Sequence, residues 1–374
     1  MVPLDKLELR PASQAQLVES RRLTSVQWAK WYSLEEYLQR LEYLETLDHA
    51  SEGKLIVWVL VPNDDPETLD ILSTCQTYQR DILVLPPGKS EAFSDIGYGI
   101  ASVFTPEKYR RKGYAMRMMS LLHFALAKPG GVPTFPSEWG KGPPLRVKHP
   151  GLVSALYSGI GRYYSRCAPG GGTGWVIAGT TTSEWVVPDS PEKPDTGLKI
   201  HPEVQLLSMQ EAISTVTADA PLFKLDFGSL RPSSKFHLAF QPTAGWCQYQ
   251  MIRDQGCPLY VTSPPKIWGV RIQSGNETHF LVWTYRPRPD SARKLIVVSL
   301  RASPVTFLAM LSVIFYVARQ EKHHLVEAWN LDEALVSVVR ETGGRTYERE
   351  GQLPALKWYG PGEDTDVIWV GNNK

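Results

Sequence analysis

One stretch constrains this chain more than any other, the run from residue 95 to residue 128. Ile100 to Phe104 is a short apolar run with β-branched and aromatic members, bounded by glycines and by Pro106, and it predicts a buried strand. Residues 116–127 are dominated by helix formers and apolar side chains and stop at Lys128-Pro129-Gly130-Gly131, which predicts a helix. Between the two stand Arg110, Arg111, Lys112, Gly113, Tyr114 and Ala115. The first turn of a helix leaves backbone N–H groups unpaired and carries partial positive charge. A diphosphate fits there when the backbone can be approached closely, and Gly113 and Ala115 leave that approach open. With three cations beside it, such a turn is a place to hold a phosphorylated cofactor. The blander reading of the same residues is a surface turn whose cations are simply solvated.

The rest of the composition narrows the classes. A length of 374 residues suggests about two domains. A hydrophobic content of 43% argues against disorder, and a net charge of +1 gives no support to nucleic acid as a partner. Cys75, Cys167, Cys247 and Cys257 form no Cys-x-x-Cys pair, so neither a metal site nor a disulfide framework is expected, and they read as free thiols of a reducing compartment. The first ten residues carry charges from the fifth onward and lack the apolar core of a signal peptide. The most apolar run, 303–318, lies between Arg301 and Arg319 and is too short for a confident span. It predicts a buried helix with Ser303 as N-cap and Pro304 as first residue. The expectation is a soluble, cytoplasmic chain with no membrane partner.

Along the chain, helices are predicted over 11–22 and 33–47, and strands over 55–61, 80–85 and 100–104. Further strands are predicted over 153–158, 175–179 and 183–187, with a helical turn or two at 160–167 between them. A Pro-rich linker is predicted at 188–202, followed by a helix over 210–217, an irregular stretch to 243 and a helix over 246–254. Strands over 268–273, 279–285 and 295–300 then precede the helix from Pro304, a strand over 325–329 and a helix capped by Asp332. The second half thus looks like a degenerate copy of the first architecture, with no repeat at residue level. The glycine run 170–174 lacks the Gly-Lys-Ser/Thr ending of a P-loop and reads as a loop.

The spacing Arg110-x-x-Gly113-x-Ala115 resembles the acetyl-coenzyme A loop of the GNAT N-acetyltransferases, including the preceding Pro106-Glu107 and Tyr109. The resemblance implies an α/β (α+β) GNAT acyltransferase fold with a second, degenerate GNAT-like C-terminal domain. Domains are expected at 1–190 and 203–374, with a linker at 191–202. It implies acetyl-CoA as co-substrate, held by Arg110 to Ala115 and by the strand edge at Ser102, Val103 and Phe104, to which the pantetheine arm adds in that family. Tyr163-Tyr164-Ser-Arg-Cys-Ala168 matches the family's aromatic-Tyr-x-x-x-Gly, except that Ala168 replaces the glycine. That match implies Tyr164 as the acid that protonates the departing thiolate, a phenol of pKa about 10 suiting a thiol leaving group. Its competing reading is a packing aromatic. The base stays open among Asp95, Glu138, His123 and His149.

More specific segments resemble the fungal lysine N6-acetyltransferase family. They are Leu156-Tyr-Ser-Gly159-Ile-Gly161 before Tyr163-Tyr164, Phe280 to Tyr285, Glu327-Ala-Trp-Asn330, Gly343-Gly344 and Leu353 to Gly360. They imply transfer to an amine of a small molecule, with Glu138, Trp283 and Tyr285 as acceptor-side candidates and Trp246, Trp268 and Trp358 as further lining. Two departures point toward a different acceptor. Gly159 replaces an aspartate, and 244–250 lacks the expected histidines. Arg301-Ala-Ser-Pro304 stands where the second half would carry a cofactor loop, so one CoA site is expected, in the first half. O-acylation of a polyketide or alkaloid and non-catalytic CoA binding are the alternatives.

Overall fold

The computed structural model describes residues 1–29, 31–143, 147–187, 204–253, 255, 257–286 and 292–371; the linker predicted at 191–202 lies outside them. The chain opens with strand β1 (Leu7–Pro11), whose Leu7 and Leu9 point into a core. Helices α1 (Gln14–Trp28) and α2 (Leu34–Glu45) follow, each begun by a reciprocal capping box, Ser13 with Gln16 and Ser33 with Glu36. Next come β2 (Leu55–Pro62), β3 (Ser73–Leu85), β4 (Phe93–Phe104), helix α3 (Tyr114–Leu126), β5 (Val153–Ser158) and the short β6 (Val176–Ile177). The second half carries β7 (Thr181–Val186), β8 (Val204–Leu207), α4 (Met209–Gly228), β9 (Phe236–Phe240), α5 (Ala244–Ile252), α6 (Pro258–Thr262), β10 (Gly269–Ser274), β11 (Glu277–Arg286) and β12 (Lys294–Arg301). It closes with α7 (Pro304–Gln320), β13 (Leu325–Trp329), α8 (Glu333–Glu341), β14 (Arg345–Glu348), β15 (Leu353–Trp358) and β16 (Val367–Trp369).

Two compact units form. The first comprises residues 1–179, 224–241 and 350–370, and the second 180–223, 242–349 and 371–374. In the first, a nine-stranded sheet runs β1-β2-β3-β4-β5-β15-β6, with β9 on β3 and β16 on β9. β1 to β4 are antiparallel, and α3 makes the crossover to the parallel β5. The apolar face of α3 (Met118, Met119, Leu121, Leu122, Ala125) packs with Trp58, Cys75, Tyr98 and Leu156 of the sheet in one buried cluster. The second unit has a seven-stranded sheet, β14-β7-β13-β12-β11-β10-β8. There β10, β11 and β12 form a meander, α7 crosses over, and β13 returns parallel to β12. This repeats β2-β3-β4, α3 and β5, the duplication expected from element order.

Most predicted elements recur within a few residues, including α7 with its Ser303–Thr306 capping box and α8 capped by Asp332. The differences are instructive. β3 begins seven residues before the predicted strand, because Ser73 to Gln79 alternates polar groups that are satisfied within the fold: Thr74 meets Ser20 of α1 at 2.8 Å and Thr77 accepts from Trp58 at 2.9 Å. The stretch to 243, expected to be irregular, instead continues α4 to Gly228 and supplies β9. Unit membership also departs from a cut at 190–203. β7 pairs with β13 and β14 of the second unit, whereas β9, β15 and β16 pair within the first. Local sequence fixes that a segment is extended, but not which strand it will join.

Candidate active site

The site begins where two parallel strands part. β4 and β5 are paired from Gly97↔Val153 to Ile100↔Leu156, and the pairing stops there. Across β4 on its other side, Gln76↔Ala101 is followed by Thr74↔Phe104, so two residues of β4 oppose one of β3. That is a β-bulge, and Ser102 carries it in a left-handed conformation, φ 53°. Its hydroxyl donates to Gln76 Oε1 at 2.9 Å, and Tyr78 donates to the same oxygen at 3.1 Å. With the β5 pairing ended at Ile100, Ala101 to Phe104 present a backbone edge on that side that an extended ligand could pair with. Gln76 has no sequence signature, because an isolated polar residue in a strand is ordinary.

β4 leads through the 3-10 turn Glu107–Tyr109 to the start of α3. The turn is tied down by Asp70, which accepts from Lys108 at 2.7 Å and from the Tyr109 hydroxyl. Arg111 adopts φ 63° and Gly113, the N-cap, φ 82°, so the chain reverses just before the helix. A glycine N-cap supplies no side-chain acceptor to the first N–H groups. Arg110 and Arg111 are exposed, and Lys112 stands over the Tyr109 ring at 5.3 Å. None of these three cations makes an ion pair among the described residues. Bare helix N–H groups, the dipole and three cations outside any described ion pair, of which Arg110 also donates from Nε to Thr105 O at 3.2 Å, suit a diphosphate, so this chain's residues fit the phosphate end of coenzyme A. Tyr114 contributes only its backbone here: its ring is buried and its hydroxyl accepts from Val2 N at 3.1 Å.

Tyr164 lies on the 3-10 turn Tyr163–Arg166 that follows β5, in the same apolar cluster as Ile100, Cys75 and the partly buried Val103. Burial, with smaller effects from Cys167, Cys75 and Tyr163, raises its pKa well above the ordinary phenol value, so it carries its proton at neutral pH. Its backbone oxygen accepts from Cys167 N and Trp175 N, both at 3.1 Å. Its hydroxyl makes no hydrogen bond among the described residues and is not sealed from solvent. The proton is therefore uncommitted, as an acid's must be.

Of the residues considered as base, His123 and Asp95 are committed to partners within the fold. His123 is fully buried, its pKa pulled down to about 3 chiefly by burial, and both ring nitrogens are hydrogen-bonded. Asp95 accepts from Lys128 at 2.5 Å and from Ile96 N at 2.7 Å. Glu138 is exposed and acts electrostatically on Arg117, and His149 is exposed with its carbonyl taken by Tyr98. Gly159 sits exposed in a turn closed by Ser158, whose hydroxyl donates to Gly161 O at 2.7 Å. The four cysteines are free and buried; burial pushes Cys167 up to about 12. Among the described residues no group of His, Cys, Asp and Glu could hold a metal ion, and no helix is long and apolar enough to cross a membrane.

Of the aromatic candidates, Trp268, Trp283, Tyr285 and Trp358 are buried, whereas Trp246 on α5 is partly exposed. Trp283 and Tyr285 on β11 and Trp268 beside β10 are buried in the second unit, with Tyr285 donating to Ile267 O. Trp358 belongs to β15 of the first unit, packed on Phe236 at 5.2 Å. The second unit's crossover helix also differs from α3. Ser303 accepts from Thr306 N, the Ser303 N–H donates to Thr306 Oγ1, and Arg301 is bound to Asp219 at 2.5 Å. Its N-terminus is capped by its own side chains, as that of α3 is not.

Residues 184–374 match the family described as LYC1 GNAT-like C-terminal domain. A lysine acetyltransferase of Yarrowia lipolytica is 20% identical over 393 residues, covering 92% of each chain. Among solved structures, a conserved protein of Enterococcus faecalis described as a probable N-acyltransferase aligns over 94% of this chain and 72% of its own, with TM-score 0.54 and 11% identity. A GCN5-related N-acetyltransferase from Anabaena variabilis aligns over 95% and 73%, with TM-score 0.53 and 12% identity. The structural likenesses bear on the fold.

Proposed function

The chain belongs to the GNAT acetyltransferases with a LYC1-like C-terminal domain, and from that premise we propose that it moves an acetyl group from acetyl-CoA to an amine of a small, lysine-like molecule. One observation carries the reading: the opened β4 edge at Ala101 to Phe104 runs straight into an uncapped helix N-terminus flanked by Arg110, Arg111 and Lys112. The edge offers backbone groups to the amides of a pantetheine arm, and the loop offers N–H groups and charge to the diphosphate. The acceptor nitrogen attacks the thioester carbon; a C–N bond forms, the C–S bond breaks, and the amine gives up a proton to solvent. Tyr164 delivers its phenolic proton to the departing sulfur and recovers one from solvent afterwards. The Yarrowia lipolytica relative is named for lysine, which makes L-lysine the first acceptor to try.

Calorimetric titration with acetyl-CoA should give saturable binding, and replacing Arg110, Arg111 and Lys112 together by alanine should weaken it roughly tenfold or more. Absence of binding at high micromolar acetyl-CoA would sink the proposal. Mass spectra of products from a panel of amines and alcohols distinguish N- from O-transfer. Tyr164→Phe should lower kcat while leaving the acetyl-CoA dissociation constant within about twofold, the pattern of a group used only in the transition state.

A further inference from the structure

Behind Tyr164 lies a chain of buried polar groups whose proton directions are all fixed. His123 Nε2 stands 2.8 Å from the carbonyl oxygen of Cys167. A carbonyl only accepts, so Nε2 carries the hydrogen. The ring is neutral, so Nδ1 accepts, and the Tyr359 hydroxyl at 2.8 Å must donate to it. The Tyr359 oxygen then accepts from Ser154 Oγ at 2.8 Å, and Ser154 accepts from Trp175 Nε1 at 3.0 Å. His123 also stacks on Trp175 with ring centroids 4.0 Å apart. The order is Trp175 to Ser154 to Tyr359 to His123 to Cys167, and every link is used.

This relay grips both ends of one loop. Cys167 closes the 3-10 turn that carries Tyr164, and Trp175 is where the chain returns to β6. Between them, Gly174 donates from its N–H to Ser165 O at 2.8 Å, and a Cβ at that position would collide with the carbonyl oxygens of Tyr164 and Cys167. The Tyr164 carbonyl is meanwhile shared by Cys167 N and Trp175 N. The fold thus spends its buried hydrogen bonds on the backbone around Tyr164 and none on the Tyr164 hydroxyl. Tyr359 comes from the tail of the chain, after β15, so the turn is clamped by a residue far away in sequence.

We propose that His123, Tyr359, Ser154 and Trp175 are positioning residues that hold the Tyr164 phenol at the point where the strands part. The inference rests on Tyr164 being the acid. Fixing an acid to within a fraction of an ångström matters because displacement by about 1 Å can cost on the order of a hundredfold in rate.

The test is a double-mutant cycle on the full chain, with rates read as CoA thiol release from acetyl-CoA with L-lysine as acceptor. Tyr359→Phe keeps the ring but removes the oxygen linking Ser154 to His123. It should lower kcat about tenfold with the acetyl-CoA KM within about twofold, and in a Tyr164→Phe background it should cost less than about twofold. Ser154→Ala, a milder change, should behave the same way with a smaller loss and stands in if Tyr359→Phe does not fold. Amide hydrogen exchange supplies a readout independent of turnover: protection of the Cys167 and Trp175 amides should fall in Tyr359→Phe while that of α3 is kept. If Tyr164→Phe is slow but Tyr359→Phe and Ser154→Ala leave kcat unchanged, or multiply fully with Tyr164→Phe, the relay is only structural and the proposal fails by itself. If Tyr164→Phe retains full kcat, the acid assignment fails first, and the positioning role goes with it.

Discussion

Burial decides what the individual titratable groups can do. His49, His123 and His323 are held neutral, with pKa values lowered to about 4, 3 and 4, burial being the largest cause in each. The unfolded chain binds a proton at each below about pH 6.5, and the folded chain does not until the lower values are reached. Stability is therefore full above about pH 6.5 and is lost as pH falls toward about 4, by up to about 1.4 kcal/mol per pH unit for each histidine. The unfolding midpoint measured by circular dichroism should drop between pH of about 7 and 5. His123→Gln should flatten that dependence, and an unchanged slope would contradict the assignment. In sequence His123 is one of several possible bases; only the closeness of Cys167 and Tyr359 removes it from that role. Tyr164 could be singled out from its motif, but whether its hydroxyl was free to give a proton could not.

At the scale of elements, two crossover helices start with different caps. α7 begins with the Ser303–Thr306 box, its side chains bonding its own first turn, whereas α3 begins at Gly113 with nothing but backbone. Ser303→Ala should cost about 1 kcal/mol of stability in denaturant unfolding without changing acetyl-CoA affinity. Gly113→Ala should cost on the order of 1 kcal/mol through its left-handed φ of 82° and should also weaken acetyl-CoA binding, because a methyl group then stands at the helix mouth. Equal effects of the two substitutions on affinity would erase the distinction between the helices. This contrast was legible from sequence, since Arg-x-x-Gly-x-Ala and Ser-Pro are different helix beginnings. The bulge at Ser102 was not. Its φ of 53° is imposed by pairing with β3 over two-against-one residues, and no local pattern marks it.

For the whole molecule, the decisive strand is β15. It is antiparallel to both β5 and β6 and lies between them, although it comes from the tail. Residues 1–190 expressed alone lack β15, β9 and β16 and lose Tyr359 from the relay. They should show no cooperative thermal unfolding, while adding a 350–370 peptide should restore part of it; a cooperative transition of the fragment alone would show the tail to be dispensable. The candidate site is built within the first unit, whose sheet takes β9, β15 and β16 from beyond residue 190.

The sequence by itself determined the extended and helical segments, the Arg-x-x-Gly-x-Ala turn before α3, the caps of α7 and α8, and the family resemblance, because each is written in periodicity or spacing over a few adjacent residues. Only the tertiary structure decided that β7 leaves the first sheet and β15 enters it, that Trp283 and Tyr285 are core, and that His123 serves a backbone carbonyl. Those outcomes depend on which distant segments meet, and the partner of a strand or a buried polar atom is set by the whole packing, not by its neighbours in the chain.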